Sequence, residues 1–320
     1  MRTSTLERMS GTPQKLLLLD SASLYFRAFY GVPDRRQHPA DPPTNAIRGF
    51  ADMIATLVSD HAPTDLVACW DNDWRPAFRV EALPTYKAHR VLDGTAGQED
   101  SPELLTPQVP EIVELLEAVG ITRLGIDECE ADDVIGTLVT RYRDTAAIDV
   151  VTGDRDLFQL VDDEHSIRVL YTAKGGVRDP DVVNESYLQA RYGISGGRAY
   201  ADMAVLRGDP SDGLPGVPGI GEKTAATLIN RYGDLGGLRR AVDEGDPQVK
   251  GAQRTRLEAA SAYLDAAPRV VDVVRDAPVP EDLQTALPSR VADPDRLGAL
   301  AARLPIRSPL ARLLNVLGLD

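Results

Sequence analysis

Hydrophobic positions divide the chain into two regimes. In the first half, short apolar runs fall at Leu16–Leu19, Leu66–Trp70, Ile121–Ile126, Ile148–Val151 and Ile167–Tyr171. Their length and lack of alternation suit strands buried on both faces of a parallel sheet. Between them apolar residues recur at helical spacing. Ser21 caps a helix to about Tyr30. A second helix runs from Thr44 to Asp60 with Ile47, Phe50, Met53, Ile54 and Leu57 on one face, a third from Pro107 to Val119, and a fourth from Glu130 to Tyr142 with Val134, Ile135, Leu138 and Val139 inward. A helix carrying Leu157, Phe158 and Leu160 is expected after Gly153-Asp154, and Ile167–Tyr171 forms a hairpin with the segment after Gly175-Gly176. Pro33 to Pro43 reads as a loop, and residues 91–106 are too poor in large apolar groups to order themselves and should be mobile. From Asp181 onward the signals are nearly all helical. Strands alternating with helices, then helices alone, predict an α/β sheet core followed by a helical subdomain.

Nine carboxylates stand at the ends of these strands or in the turns after them: Asp20, Asp71, Glu130, Asp132, Asp133, Asp154, Asp156, Asp209 and Asp212. Strand-end acids in an α/β protein converge on one edge of the sheet, where they repel one another unless a cation lies between them. Hard oxygen donors without a cysteine or histidine set point to Mg²⁺ or Mn²⁺. Glu130-Ala131-Asp132-Asp133 alone is an ordinary acidic first turn of a helix. Gly153-Asp154-Arg155-Asp156 and Gly208-Asp209-Pro210-Ser211-Asp212 add two further clusters, and three such clusters exceed what solubility requires.

Composition narrows the partners. The 320 residues suit one large domain, or one with an appendage, and no apolar run is long enough to span a membrane. Residues 1–14 are polar and lack the apolar core of a signal peptide, so they read as a disordered tail. Cys69 and Cys129 match no zinc spacing, which fits a reduced cytoplasmic protein. A net charge of −14 argues at first against nucleic acid, but residues 127–185 alone hold 15 acids against 6 bases, a net of −9 that bound metal would offset. Arg75, Arg79, Lys87 and Arg90 make residues 72–90 locally basic.

Two motifs suggest how a polyanion is held. Leu214-Pro215-Gly216-Val217-Pro218-Gly219-Ile220-Gly221 feeds Glu222-Lys223-Thr224, a glycine turn opening a helix. This helix-hairpin-helix pattern presents backbone N–H groups at Gly216, Val217, Gly219 and Gly221, with Lys223 and Thr224, to a phosphate without reading a base. Phe78-Arg79 with Tyr86-Lys87-Ala88-His89-Arg90 would place Arg79, Tyr86, Lys87 and Arg90 on one helical face, cations for a phosphate and an aromatic for an unstacked base. The bland alternative for this stretch is a solvated basic helix.

In order, spacing and content these segments resemble the 5′-nuclease family: flap endonucleases and the 5′-nuclease domain of bacterial DNA polymerase I. The resemblance rests on LLLLD at 16–20, FR and YKAHR within 78–90, EADDVIGTL at 130–138, TGDRDLFQL at 152–160 and GDPSDGLPGVPGIGEKTA at 208–225. It implies a PIN-like nuclease core over 15–180 with a helical arch at about 72–106, and a DNA-binding subdomain over 181–320. That subdomain carries the hairpin at about 199–232, and its last helices return to the core. It also implies two or more Mg²⁺ or Mn²⁺ ions, the first held mainly by Asp20, Asp71, Glu130 and Asp132, the second by Asp154, Asp156 and Asp212. Asp133 and Asp209 would act through water, Arg79 and Lys87 at the scissile phosphate, Tyr86 and Arg90 on the DNA, and K⁺ at the hairpin. The expected substrate is DNA with a 5′ flap, 5′ overhang or nick, cut by a stand-alone monomer in the cytosol, with polymerase or ligase as possible partners. A non-catalytic junction binder and a ribonuclease are the competing readings. Two positions depart from the family pattern. Ser21 replaces a usual Gly and is expected to narrow the approach of a phosphate; Gly213 replaces a frequent Asn and is expected to loosen the second ion's surroundings.

Overall fold

The computed structural model describes residues 14–95 and 97–319, so the expected tail lies, apart from Gln14, outside the described residues. The elements run β1 (Gln14–Asp20), α1 (Ser21–Gly31), α2 (Asn45–His61), β2 (Asp65–Trp70), α3 (Ala77–Ala82), α4 (Gln108–Val119), β3 (Thr122–Gly125), α5 (Ala131–Tyr142), β4 (Ala146–Thr152), β5 (Ile167–Tyr171) and β6 (Asp181–Val183). Helices follow: α6 (Glu185–Tyr192), α7 (Gly197–Arg207), α8 (Glu222–Tyr232), α9 (Leu235–Asp243), α10 (Gly251–Ala259), α11 (Ser261–Val271), α12 (Pro294–Arg303) and α13 (Arg307–Leu317). The sheet order is β3-β2-β1-β4-β5-β6, parallel except for the β5–β6 hairpin.

β1 shows why the strands read as unbroken apolar runs. Leu16 and Leu18 face one side of the sheet, Leu17 and Leu19 the other, and both sides are covered, so all four are excluded from solvent. One layer joins α5 to the C-terminal helices α7 to α11. The opposite layer holds α1, α2 and α4, closed by α12 and α13 through Leu297, Leu300 and Leu313. The chain returns to this layer along the start of β2, where the Leu66 N–H donates to Thr285 O and the Leu287 N–H to Thr64 O.

The sheet also fixes where chemistry can occur. After β1 the chain passes to β2 on one side, and β4 pairs with β1 on the other, so the strand order reverses between β1 and β4. The crevice outside the carboxyl ends of such a pair is the usual binding place in an open parallel sheet.

Two local expectations are corrected. The helix expected after Gly153 is one 3₁₀ turn, Asp156–Leu160. The arch segment is not a continuous helix either. α3 ends at Ala82, Pro84 follows, Lys87 adopts a left-handed φ of 48°, and only a 3₁₀ turn at Ala88–Arg90 continues it. The flanking residues then pair back on each other, with the Leu92 N–H donating to Gln98 O and the Asp100 N–H to Arg90 O.

Candidate active site

The crevice at the β1–β4 reversal holds a cavity of about 430 Å³. Asp20, Asp71, Glu130, Asp132 and Asp154 line it, delivered by the ends of β1, β2 and β4 and by the first turn of α5. Four of the five are held by their local fold. Asp20 caps α1, its Oδ1 accepting from the Ser23 N–H at 3.1 Å, while its Oδ2 accepts from the Thr152 hydroxyl at 2.6 Å. Asp71 Oδ1 accepts from the Ala131 N–H at 2.7 Å, which ties β2 to the α5 N-terminus. Glu130 is the N-cap of α5 in a reciprocal capping box with Asp133. Asp154 Oδ1 accepts from the Asp156 N–H at 2.9 Å.

Three of the expected roles change. Arg79, expected at the phosphate, does not line the cavity. Its side chain is 2% exposed and clamps Asp133 with two bonds of 2.6 Å, while its Nε donates to Val270 O. Asp133, in turn, is fully buried and accepts from the Glu130 and Val274 N–H groups, so it braces α5 rather than reaching an ion through water. Tyr86 is 3% exposed and cannot stack on a base; its hydroxyl donates to Glu130 Oε2 at 2.7 Å. The interior claims these groups because a bidentate Arg–carboxylate pair and a hydrogen-bonded phenol satisfy charge and polarity there.

Lys87 and Arg90 do reach the cavity. The Lys87 ammonium contacts Glu130 Oε1, and Arg90 donates to Asp212 Oδ1 at 2.8 Å. With Tyr86 and Arg79 at Oε2, both oxygens of Glu130 are engaged. Asp209 lies behind the cavity, paired with Arg155 at 2.6 Å. Ser21 does not narrow the approach, because its side chain is buried in α1 and Ala22 and Ser23 form the wall. Gly213 does not loosen the site. Its φ is +75°, a Cβ there would overlap Thr85 O, and Thr85 Oγ1 donates to Gly213 O at 2.8 Å, so the glycine permits close contact between the arch segment and the 209–213 turn.

Sequence reasoning missed a second wall of the cavity: Tyr25, Phe26, Trp70 and Trp74, with Glu99 from the doubled-back segment. Tyr25 and Phe26 follow Asp20 by five and six residues on the same short helix, a spacing that was available to find them.

Burial makes the acids reluctant to ionise. Asp20 is pushed up to about 6 and Asp71 to about 7, in both cases mainly by desolvation, with Asp154 raising Asp20 further and Asp20 and Glu130 raising Asp71. Desolvation and neighbouring carboxylates raise Asp132, Asp156 and Asp212 as well. Asp156 Oδ1 is buried without a hydrogen-bond partner among the described residues. Desolvation opposes ionisation at Asp209 too, but Ser211 and Arg155 hold its carboxyl below the ordinary range. Such a set fits divalent cations chemically: all donors are hard oxygens, several are starved of counter-charge, and one is unpartnered. Among the described residues no three His, Cys, Asp or Glu side chains form a group that would enclose one ion. An open set of this kind suits ions that retain water ligands, as Mg²⁺ does.

The hairpin lies between α7 and α8. Val217 and Ile220 are buried anchors, and the Val217 N–H already donates to Leu206 O at 2.9 Å, so Val217 shapes the turn and its N–H does not face a phosphate. The N-cap of α8, Gly221, offers no side-chain cap, leaving the helix's first N–H groups open, with Lys223 exposed beside them.

Fold and site together define a two-part protein, an acid-edged α/β domain joined to a hairpin-bearing helical subdomain. Residues 15–193 match the model of the 5′-3′ exonuclease N-terminal resolvase-like domain, and residues 196–295 that of the 5′-3′ exonuclease C-terminal SAM fold. The chain belongs to the 5′-3′ exonuclease family. It is 53% identical over 304 residues to a 5′-3′ exonuclease of Streptomyces coelicolor, covering 94% of this chain and 99% of that protein. With a 5′-3′ exonuclease of Mycobacterium tuberculosis it is 48% identical over 311 residues, covering 94% and 97%. DNA polymerase I of Mycobacterium bovis is 39% identical over 94% of this chain, which spans 32% of that protein. Among solved structures, T5 5′-exonuclease with bound zinc superposes with a TM-score of 0.63 at 16% identity, over 95% of this chain and 100% of that one. The catalytic core of Rad2 in complex with DNA substrate gives 0.59 at 16% identity, over 95% and 92%. At this identity the two structures speak to the fold.

Proposed function

We propose that this chain is a divalent-metal-dependent, structure-specific DNA nuclease that hydrolyses phosphodiester bonds at 5′ flaps and 5′ ends, as 5′-3′ exonuclease and flap endonuclease. The observation that carries the reading is the gathering of Asp20, Asp71, Glu130, Asp132 and Asp154 around one cavity with Lys87 and Arg90 facing them. Asp20, Asp71, Glu130 and Asp132 would hold one ion, and Asp154, Asp156 and Asp212 a second. When bound, two such ions activate water and stabilise the leaving oxygen.

The chain's own residues supply the rest. Lys87 and Arg90 orient the scissile phosphate and offset its charge. Tyr86 and Arg79 fix Glu130 from behind, so its carboxylate does not rotate when Lys87 turns toward a phosphate. The aromatic wall of Tyr25, Phe26, Trp70 and Trp74 offers faces for an unpaired base, and the hairpin grips duplex backbone without reading sequence. K⁺ at the hairpin and action as a monomer belong to the same reading.

Labelled 5′-flap DNA and single-stranded RNA, each with Mg²⁺, Mn²⁺ or chelator, test it. Metal-dependent release of short 5′ products from the flap is expected. Tight binding without cleavage under either metal would make the protein a junction binder, and faster cutting of the RNA would make it a ribonuclease.

A further inference from the structure

The sequence gives residues 251–320 equal numbers of acids and bases and no motif. Yet α10 brings one of its arginines to the hairpin. The Arg256 guanidinium lies against Gly219, so close that a Cβ at Gly219 would overlap Nη1 and stand 2.9 Å from Cζ. Gly219 has a φ of +74°, a conformation that favours glycine, and its bare Cα lets the guanidinium lie against the turn.

Arg254, two residues earlier, shows what an architectural arginine looks like in this helix. It is half-buried and donates to the carbonyls of Val249, Val242 and Asp246. Arg256 is exposed and, among the described residues, has no hydrogen-bond acceptor and no carboxylate within ion-pair distance. Lys223 is in the same state. Glu222, next to Lys223 in the first turn of α8, is paired instead with Arg191 at 3.4 Å and Arg207 at 3.6 Å. Two unpaired cations therefore flank a turn whose helix presents open N–H groups.

We propose that Arg256 is a phosphate-contacting residue of the hairpin, supplying from α10 a second side-chain cation beside Lys223 for the backbone of duplex DNA. The inference rests on the reading of the hairpin as the duplex grip. Buried Leu257 fixes the helix, so the guanidinium is delivered to the turn at little further ordering cost.

The test is anisotropy titration of the full chain with 5′-flap DNA, in chelator to prevent cutting, at several salt concentrations. Arg256→Ala should weaken binding about tenfold at low salt, the scale of a hydrogen bond to a charged group. It should also lower the magnitude of the slope of log affinity against log salt by about 0.9, one phosphate contact fewer. Arg256→Lys should keep the slope, and the thermal midpoint and the single-turnover rate at saturating DNA should stay unchanged. Lys223→Ala is the reference. If it lowers affinity and slope while Arg256→Ala leaves both alone, Arg256 only covers the turn and the proposal fails. An affinity loss in Arg256→Ala with an unchanged slope and a lowered midpoint also overturns it, as the mark of a structural prop. If neither variant changes the slope, the hairpin is not the duplex grip and both readings fall.

Discussion

Arg79→Met tests whether the basic residue of the FR pair serves the fold or the reaction. The substitution keeps most of the side-chain volume and removes the charge. In the native protein the guanidinium makes two 2.6 Å bonds to Asp133, one of 3.0 Å to Val270 O and an ion pair of 3.0 Å with Glu130. Without it, Asp133 remains as an unpaired charge at a fully buried position. Breaking a buried pair from one side costs about 3–5 kcal/mol. Total stability for a domain is about 5–15 kcal/mol, so the variant should show a large fall in urea midpoint and in thermal midpoint. Adding Asp133→Asn to Arg79→Met removes the stranded charge while keeping a cap for α5, and should recover part of the loss. Equilibrium urea unfolding of the wild type, both single variants and the double variant measures the coupling. Single-turnover cleavage, normalised to the folded fraction, should fall much less than stability. An Arg79→Met protein with an unchanged urea midpoint and a cleavage rate reduced a hundredfold would refute the assignment and return Arg79 to the phosphate.

Asp154→Asn with Asp156→Asn should abolish cleavage and leave flap binding largely intact, because affinity comes mainly from phosphate contacts elsewhere; normal cleavage would defeat the proposed second ion site. Lys87→Ala should depress the single-turnover rate far more than affinity, since a cation beside the scissile phosphate acts on the transition state, and a purely binding defect would contradict that role. Tyr86→Phe, which leaves Glu130 with one bond fewer, should weaken Mn²⁺ binding in calorimetry while retaining flap affinity; a loss of flap affinity with unchanged Mn²⁺ binding would mean that the hydroxyl serves DNA rather than Glu130. Asp20 and Asp71 have folded pKa values near 6 and 7, above the usual carboxylate range, so the folded protein holds protons that the unfolded chain has released. Their contribution is therefore fully present below pH ~4 and lost as pH rises through 6 to 7, and the chelated protein should lose thermal stability over that interval while Mg²⁺ offsets the loss above pH 7. Rising stability of the chelated protein across the same interval would run against the assigned burial.

The strands and their acids were legible because the same physics writes both. A central parallel strand must be apolar on both faces, so LLLL at 16–19 stands out, and the acid at its carboxyl end can only emerge at the sheet edge. Glu130, Asp132 and Asp133 were legible as a helix start for a comparable reason, but their division of labour was not. Whether a carboxylate in a first turn faces the cavity or the interior depends on partners far away in sequence, such as Val274 for Asp133. Arg79 and Tyr86 were misread for that reason. Their spacing from Lys87 is the same whether the segment is a solvated helix or a buried strap, and the decision lies with Val270, 191 residues from Arg79. Pro84 was the local warning that no single helix joins Arg79 to Lys87. Glu99 had no signal, because its neighbourhood is low in hydrophobicity and it enters the cavity only when the chain doubles back.

That strap links the two parts of the molecule. The Lys87 N–H donates to Asp212 O at 3.0 Å, the Thr85 hydroxyl to Gly213 O, and Arg90 to Asp212 Oδ1. The backbone that aims Lys87 into the cavity is therefore bonded to the turn at 209–213, and that turn leads within a few residues to the hairpin at 216–221. Lys87 needs its left-handed φ to reach Glu130 from there, a conformation that costs a non-glycine residue about 1 kcal/mol and persists because bonds on both sides fix it. A shift of the hairpin relative to the sheet would move Asp212, and with it both Lys87 and Arg90. On the proposed reading, duplex position and the placement of the cavity's cations are both tied to the 209–213 turn, so hydrogen bonds across two distant segments of the chain, rather than a flexible joint, set the distance between the hairpin and the cavity.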